Sequence, residues 1–247
     1  MDRGEAVVDA FPTGRRPWPV ELREGPVSLR PLRRRDAKRW RAVRSTNIAW
    51  LAPWEATHPE AGEAAPSFTQ MVRAFTREAK AGRMLPFAVI LDGELVGQLT
   101  VAGITWGSLR SGHIGYWVDR SVAGRGVIPT AVALAADHCF FTVGLHRVEV
   151  NIRPENQASL RVAQKLGFRP EGIRRRFLHI DGDWRDHATF ALTREEVPDG
   201  LMPRWRTLME DRQAEGLSGG LGVDPRQSSV LSRQSQQLPP DSAATHR

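Results

Sequence analysis

Residues 113–141 read HIGYWVDRSVAGRGVIPTAVALAADHCFF, and this stretch decides the fold of the chain. Residues 114–118 have the composition of a β-strand, a glycine loop follows at Gly124-Arg125-Gly126, and a long apolar helix begins directly after the loop. Two glycines let the backbone turn and approach a ligand closely. The helix behind them presents unpaired N–H groups and the positive end of its dipole. The stretch therefore predicts an anion site that suits a phosphate group.

Two arginines strengthen this prediction. Arg120 and Arg125 flank the loop and would add charge-assisted hydrogen bonds to a phosphate. The glycine spacing matches neither G-x-G-x-x-G nor G-x-x-x-x-G-K-[ST], so the loop is not a dinucleotide or P-loop signature. Glycine pairs also occur in plain strand-to-helix turns, and the loop alone leaves that alternative open.

The composition favours one folded domain with a basic surface. The chain has 247 residues, 40% of them hydrophobic, and a net charge of +7. This charge favours polyanionic partners such as nucleic acid, ribosomal particles or a phosphorylated cofactor, although an arginine-rich solvated surface explains it equally well. The single cysteine, Cys139, excludes an internal disulfide and a thiolate zinc cluster.

Neither a membrane segment nor a metal site is expected. No apolar run reaches the roughly 18 residues of a membrane span, and the N-terminal residues contain no signal-peptide core, so we expect a cytoplasmic protein. The chain has two Asp-His pairs, Asp137-His138 and Asp186-His187. Adjacent side chains point away from each other on a helix or strand, so neither pair predicts a metal centre.

The periodicity of the remaining sequence predicts a mixed α/β fold with a mostly antiparallel sheet. Helices are expected after Asp36, after Ser67, after the glycine loop and from Asn156, and Asp92-Gly93 predicts a hairpin. Strands are expected at 27–32, 87–91, 95–104, 114–118, 147–152, 168–178 and 184–192. Three regions follow from this order: a flexible N-terminal arm at 1–26, the folded domain at 27–200 and a largely disordered C-terminal tail at 201–247.

Two separate motifs now point to the same family. The G-R-G loop from Gly124, and N-Q-A-S from Asn156 leading into K-L-G-F from Lys165, resemble the GNAT N-acetyltransferase superfamily in order and spacing. A narrower likeness, N-x-x-x-L-x-P-W-E from Asn47 and G-x-W-R-D-H from Gly182, resembles the RimJ/RimL branch. Members of that branch acetylate N-terminal α-amino groups of ribosomal proteins, and the GNAT fold is a mixed, mostly antiparallel sheet flanked by helices.

The resemblance implies acetyl-CoA as co-substrate. The residues that it assigns to acetyl-CoA are Trp117, Val118, Arg120, Ala123, Gly124, Arg125, Gly126, Val127 and Asn156. The chain departs from the family pattern at Ser121, where Gln or Arg is usual, and at Leu178, where a close relative has the Glu proposed as base. No base is carried over, and the nearby candidates are His179, Asp181, Asp186 and His187.

Amide formation from acetyl-CoA requires a neutral amine, a stabilised oxyanion and a proton for the leaving thiolate. An α-amino group has a pKa of about 7.7–8.0 and lysine one of about 10.4, so an N-terminal acceptor can react with a water chain as base. We expect the Val118 N–H to hold the oxyanion where its strand splays from the next strand. The resemblance makes Ser159 the thiol-side proton donor, and its alternative role is a hydroxyl that caps its own helix.

Acceptor recognition is assigned to Asn47, Trp54 and Glu55, because an α-ammonium group and the first peptide carbonyls need an acidic or amide lining. Two other functions stay open. The first is an acetyltransferase of a small amine, such as an antibiotic or polyamine, on the same scaffold. The second is a non-catalytic protein that binds RNA or the ribosome through its basic surface. We expect a ribosomal protein N-terminus or ribosomal subunit as partner, with rRNA nearby, and a monomer or homodimer.

Overall fold

A continuous eight-stranded sheet lies at the centre of the described part of the chain. The computed structural model describes residues 17–60 and 66–218. The strands are β1 (Leu22–Glu24), β2 (Val27–Pro31), β3 (Leu85–Leu91), β4 (Glu94–Thr105), β5 (Ser111–Val118), β6 (Arg147–Ile152), β7 (Arg169–Ile180) and β8 (Asp183–Thr193). The helices are α1 (Ala37–Thr46), α2 (Ile48–Leu51), α3 (Phe68–Lys80), α4 (Val127–Asp137), α5 (Gln157–Lys165) and α6 (Leu201–Ser218).

The strand order is β1-β2-β3-β4-β5-β6-β8-β7, and all neighbours are antiparallel except β5 and β6. The predicted mixed fold with a mostly antiparallel sheet is confirmed. β5 pairs with β6 only at residues 111–113, opposite 147–149. Beyond this point β5 remains paired with β4, and β6 remains paired with β8. A wedge-shaped opening therefore forms between residues 114–118 and 150–152, and we call it the β5–β6 gap.

Helices cover both faces of the sheet. Along β3, Ala88 and Ile90 join a core cluster with side chains of α1 and α3. Phe87 lies on the opposite face, where its ring contacts His138 directly after α4, with ring centroids 6.5 Å apart. Because β3 is buried over its whole length, it contributes to both cores. We call the two sides the α1 face and the α4 face, and α5 packs beside α4 on the latter.

Local sequence signals account for the start of helix α3 and for the hairpin between β3 and β4. Ser67 and Gln70 cap α3 reciprocally: the Ser67 hydroxyl accepts from the Gln70 N–H, and the Gln70 amide oxygen accepts from the Ser67 N–H. Asp92 and Gly93 have φ angles of 49° and 85°. This pair of left-handed residues produces a tight hairpin between β3 and β4.

Asp36 departs from its predicted role as the cap of α1. Its carboxylate forms a two-point pair with Arg30 of β2, at 2.8 and 2.9 Å, and accepts from the Arg33 N–H. Its side chain makes no capping bond to α1. The Arg30 guanidinium holds the carboxylate in this position. This contact depends on the fold and cannot be read from the local sequence.

The folded region begins before the predicted limit at residue 27. β1 pairs with β2 along its whole length. Trp18 packs edge-on against Phe87 with ring centroids 5.2 Å apart, and the Pro17 carbonyl oxygen lies 2.9 Å from His138 Nε2. The part of the predicted arm at 1–16 lies outside the described residues.

The folded region also continues beyond residue 200. Leu201 and Trp205 are buried, and the Trp205 indole donates to Thr130 Oγ1 of α4 at 2.8 Å. Asp137, at the end of α4, accepts from the first N–H groups of α6. The prediction that the tail begins at 201 is thus corrected, since Leu201 and Trp205 are one helical turn apart and form an apolar face. Residues 219–247 lie outside the described part.

The chain divides into two units, one up to Leu208 and the other from Met209. Of the second unit, the structure describes only the last turns of α6. Within residues 17–60 and 66–218, no helix combines the length and apolar character needed to cross a bilayer.

Candidate active site

The turn between β5 and α4 has the backbone geometry of an anion site. Gly124 and Gly126 have φ angles of 82° and 81°, in the left-handed region that favours glycine. A Cβ on Gly124 would meet no atom within 4 Å, so this side of the loop faces open space. α4 begins at Val127, directly after Gly126, and its first N–H groups have no partner within the helix. Ala123 to Val127 thus surround a volume that suits a phosphate.

The two predicted arginines lie at different places around this loop. Arg125 is exposed on the loop itself. Arg120 lies in the short turn before the loop, and its guanidinium stacks over the Trp50 indole of α2 at 5.7 Å. Trp50 Nε1 donates to the Val118 carbonyl oxygen at 3.2 Å, which fastens α2 to the end of β5. An open pocket of about 520 Å³ separates these elements, lined by Thr46, Asn47, Ala49, Trp50, Asp119, Arg120 and Ser121.

Asn47 is buried at the end of α1, with an exposed fraction of 4%. Its amide nitrogen donates to the Val43 carbonyl oxygen and to Asp119 Oδ1, at 2.9 and 3.1 Å. Its amide oxygen accepts from the Arg120 N–H at 2.9 Å. Both ends of the carboxamide therefore hold the turn that leads into the glycine loop. Asn47 also lines the open pocket beside Trp50, and its contact with the acceptor stays a prediction.

Replacing Asn47 with alanine is expected to lower the free energy of unfolding by about 2–3 kcal/mol, because Asp119 and the Arg120 N–H would lose a buried partner. Partial burial acts to raise the pKa of Asp119, but hydrogen bonds from Ser121 and Asn47 lower this pKa below its usual value. Urea denaturation measures the loss. The exposed Ser45→Ala change on the same helix is the control and should stay within about 0.5 kcal/mol of the parent. Equal stabilities of the two variants would contradict this role of Asn47.

The backbone of Val118 points into the β5–β6 gap. The following Asp119 N–H donates to the Val96 carbonyl oxygen of β4 at 2.7 Å. On the other side of Val118, the Trp117 carbonyl oxygen lies against Gly97 of β4 so closely that a Cβ there would collide with it. Backbone groups alternate in direction along an antiparallel pair, so the N–H and C=O of Val118 point away from β4. Since β6 has separated from β5 at this level, the Val118 N–H faces the gap.

Ser159 and Asn156 lie at the start of α5, the helix that packs against α4 and β6 on the α4 face of the sheet. Asn156 caps this helix, since its Oδ1 accepts from the Ser159 N–H at 3.0 Å. Capping is therefore the task of Asn156, and the Ser159 hydroxyl is left for another role. The Asn156 amide nitrogen remains the donor end of its side chain, which suits the carbonyl oxygens of a pantetheine arm.

Tyr116 lies beside Ser159 and was not singled out from the sequence. Its side chain is on the same side of β5 as those of Ile114 and Val118, because side chains alternate along a strand. Its hydroxyl oxygen is buried and completes no hydrogen bond with the described residues. Burial raises the pKa of Tyr116 to about 12, whereas the neighbouring Ser159 hydroxyl acts to lower it. The spacing of two residues from Val118 was the signal that could have revealed it.

On the α1 face, Glu55 is connected to β5 through Arg44. The two side chains form an ion pair, in which the Glu55 side chain is 44% exposed. The Arg44 guanidinium stacks on the rings of Trp117 and Trp40, at 5.3 and 5.5 Å. The Trp117 side chain, next to Val118 in the chain, therefore lies on the α1 face. The Arg44 side chain lies between Trp117 and Glu55 and contacts both.

Residues 53–55, the segment that contains Glu55, also contact the other side of the gap. This contact is made by Arg153, which directly follows β6. Arg153 Nη1 donates to the Pro53 carbonyl oxygen at 2.7 Å, and its guanidinium stacks on the Trp54 ring at 5.5 Å. Residues 53–55 are thus attached to β5 at one end and to β6 at the other. Through these two arginines they lie across the mouth of the β5–β6 gap, and the role of Trp54 and Glu55 in acceptor recognition stays a prediction.

Comparison with known proteins agrees with this geometry. Residues 27–169 match the family model described as an acetyltransferase (GNAT) domain. The chain belongs to the GNAT acetyltransferase family. It is an acetyl-CoA-dependent acetyltransferase, as the two sequence motifs implied.

Three similar proteins refine the family assignment. A structure of Mycobacterium smegmatis RimJ in complex with CoA-disulfide is 42% identical, with a TM-score of 0.73, over 78% of this chain and 96% of that one. The [ribosomal protein uS5]-alanine N-acetyltransferase of Escherichia coli K12 is 29% identical over 185 residues, 73% of this chain and 94% of the relative. The probable N-acetyltransferase YjcK of Bacillus subtilis 168 is 39% identical over 101 residues, 41% of this chain and just over half (56%) of YjcK. The resemblance to the RimJ/RimL branch is confirmed.

The candidate site of this GNAT acetyltransferase fits acetyl-CoA. The open space at Gly124, with the first N–H groups of α4 around it, suits the pyrophosphate. The gap beyond it suits the pantetheine arm, with the Asn156 amide on one wall and the Val118 backbone on the other. The thioester would then lie near Val118, Ser159 and Tyr116.

Three of the four candidate bases of the acetyltransferase have structural partners. His179 Nδ1 lies 2.8 Å from Thr57 Oγ1. Asp186 accepts from the Arg176 N–H at 2.7 Å. His187 is buried beside the Arg185 carbonyl oxygen, and burial lowers its pKa. The fourth, Asp181, occupies a left-handed position of the β7–β8 turn.

Proposed function

We propose that this acetyltransferase modifies the N-terminal α-amino group of a ribosomal protein. The observation that carries the proposal is the β5–β6 gap, with an oxyanion donor at Val118, a hydroxyl at Ser159 and a mouth crossed by residues 53–55. A chain terminus can enter such a gap, since only one extended segment has to pass its mouth. The name of the Escherichia coli relative, a [ribosomal protein uS5]-alanine N-acetyltransferase, supports a ribosomal protein as acceptor. The proposal places the enzyme in the cytoplasm with the ribosomes.

The chemistry of the acceptor agrees with the absence of a carried-over base. At neutral pH roughly one α-amino group in ten is uncharged, against fewer than about one lysine side chain in a thousand. Acetyl-CoA supplies the activated acetyl group. The amine enters from the α1 face beside Trp117 and Trp54, and water at the mouth of the gap accepts its proton. The Val118 N–H donates to the developing oxyanion, and Ser159 on the α4 face gives a proton to the departing sulfur.

Glu55 is the proposed contact for the incoming ammonium group before it loses its proton. Glu55→Gln is expected to raise the KM for a peptide acceptor about tenfold and to leave the KM for acetyl-CoA unchanged, because the charge is removed at the mouth and not in the cofactor cleft. Steady-state kinetics with each substrate varied in turn measure both constants.

Glu60→Gln is the matched control, since Glu60 lies five residues further along the same segment and is exposed. It should leave both KM values within about twofold of the parent. If Glu55→Gln behaved like Glu60→Gln, Glu55 would serve Arg44 and not the acceptor.

A comparison of acceptors tests the proposal against acetylation of a small amine. The kcat/KM is measured for a peptide with a free N-terminal alanine, for the same peptide with a blocked N-terminus and an internal lysine, and for spermidine. We expect the free peptide to exceed the other two by at least about 100-fold. A higher value for spermidine would replace the proposal by a small-amine acetyltransferase.

A further inference from the structure

We propose that Tyr116 is a positioning residue that acts through Ser159, so that the two hydroxyls form one proton-donating pair on the thiol side of the site. The inference rests on the acid role of Ser159 in the proposed mechanism, but it does not depend on which amine is acetylated. None of the motifs in the sequence points to Tyr116, and the chain has no other tyrosine.

The first observation is the state of the Tyr116 hydroxyl. It is buried and completes no hydrogen bond with the described residues. A buried hydroxyl without a partner is destabilising, and a phenylalanine would fill the same space without that penalty. A purely structural role would favour phenylalanine at this position, and the presence of a hydroxyl here points to a function in the site.

The second observation is where that hydroxyl lies. Tyr116 is two residues before Val118 on β5, so both side chains lie on the α4 face of the sheet. The Val118 N–H faces the gap. The group close enough to affect its ionisation is the Ser159 hydroxyl at the start of α5. Because Asn156 caps α5, Ser159 has no local task that competes with Tyr116.

The two hydroxyls divide the work of proton donation. In the reacting complex the Tyr116 hydroxyl turns to donate to Ser159 Oγ, and this hydrogen bond directs the Ser159 proton toward the sulfur. As the C–S bond breaks, its electron pair stays on sulfur and the Ser159 proton moves to it, which gives the free thiol. Ser159 Oγ takes the Tyr116 proton, and solvent returns a proton to Tyr116. Solvent has already received the proton lost by the amine nitrogen, so the reaction is balanced without another reactant.

Burial raises the pKa of Tyr116 to about 12, and the phenol is protonated at neutral pH with or without this shift. A phenol that ionised near neutral pH would lose the proton that orients Ser159.

A double-mutant cycle tests the pair, with the acceptor that gives the highest kcat/KM. Tyr116→Phe should lower kcat about tenfold, with the KM for acetyl-CoA within about twofold of the parent. Ser159→Ala should lower kcat about 100-fold, and the double variant should be no slower than Ser159→Ala alone. An unchanged kcat in Tyr116→Phe, or multiplicative losses in the double variant, would overturn the pair.

A spectroscopic measurement decides the question without any acceptor. Because the chain contains one tyrosine, protein grown with ¹³Cζ-tyrosine gives a single resonance for this carbon. Ser159→Ala and the addition of CoA should each shift that resonance, whereas Glu60→Gln should leave it in place. A resonance unmoved by Ser159→Ala would reject the hydrogen bond even if the proposed acceptor were correct. A clear shift would support it even if no peptide were acetylated.

Discussion

Replacing Ser159 with alanine is expected to lower kcat by about 100-fold, with little change in the KM for acetyl-CoA. A positioned general acid typically contributes a factor of this size, because the thiolate would otherwise leave without a proton. The helix should survive the change, since the cap of α5 is the Asn156 side chain and it bonds the Ser159 backbone. Stopped-flow detection of the free thiol at saturating substrates measures kcat directly.

Ser159→Thr provides the control, because it keeps a hydroxyl at the same position. It should retain at least about a third of the parental kcat, and thermal unfolding of both variants should match the parent within a few degrees. If alanine and threonine gave the same kcat, a proton from Ser159 would have no part in the reaction.

Gly124→Val is expected to weaken acetyl-CoA binding by about 100-fold, or roughly 2.7 kcal/mol. A valine side chain would occupy the open space beside the loop, and it would disfavour the φ of 82° that the loop requires. Both effects disturb the N–H groups that are proposed to hold the pyrophosphate. Isothermal titration calorimetry with CoA measures the loss.

Gly93→Val separates loss of the site from general backbone strain. Gly93 has a φ of 85° and equally open surroundings, but it lies in the β3–β4 hairpin turn. Both variants should lose about 1–2 kcal/mol of unfolding free energy, because both place a side chain in the left-handed region. Only Gly124→Val should lose affinity for CoA. Equal affinities of the two variants would remove the glycine loop from the cofactor site.

The sequence was sufficient for the features that depend on neighbours along the chain. The Asp92-Gly93 turn, the Ser67 cap and the glycine loop each depend on a few consecutive residues whose backbone preferences are strong, and the structure shows them where they were expected. Strand β6 has its predicted bounds for the same reason, since its alternating side chains match one buried and one partly exposed face.

Contacts between distant segments could not be read in this way. Asn47 has the sequence context of an acceptor loop, yet its partners Asp119 and Arg120 are more than 70 positions away. Trp50 and Val118 are joined by a single indole hydrogen bond that no periodicity reveals. Such contacts depend on how α1 and α2 lie on the sheet, which is set by tertiary packing.

The central claim is acetylation of a ribosomal protein at its N-terminus, and peptide mass spectrometry tests it most directly. Purified enzyme is incubated with acetyl-CoA and ribosomal subunits from a strain lacking the enzyme, with Gly124→Val as the control at an acetyl-CoA concentration below its weakened Kd. The account predicts acetyl groups on the N-terminal residue of one ribosomal protein. We expect the reaction to be faster on subunits than on the free protein, since the net charge of +7 favours an rRNA-rich particle. Acetylation confined to lysine side chains, or none on any ribosomal protein while CoA binding is intact, would contradict the account.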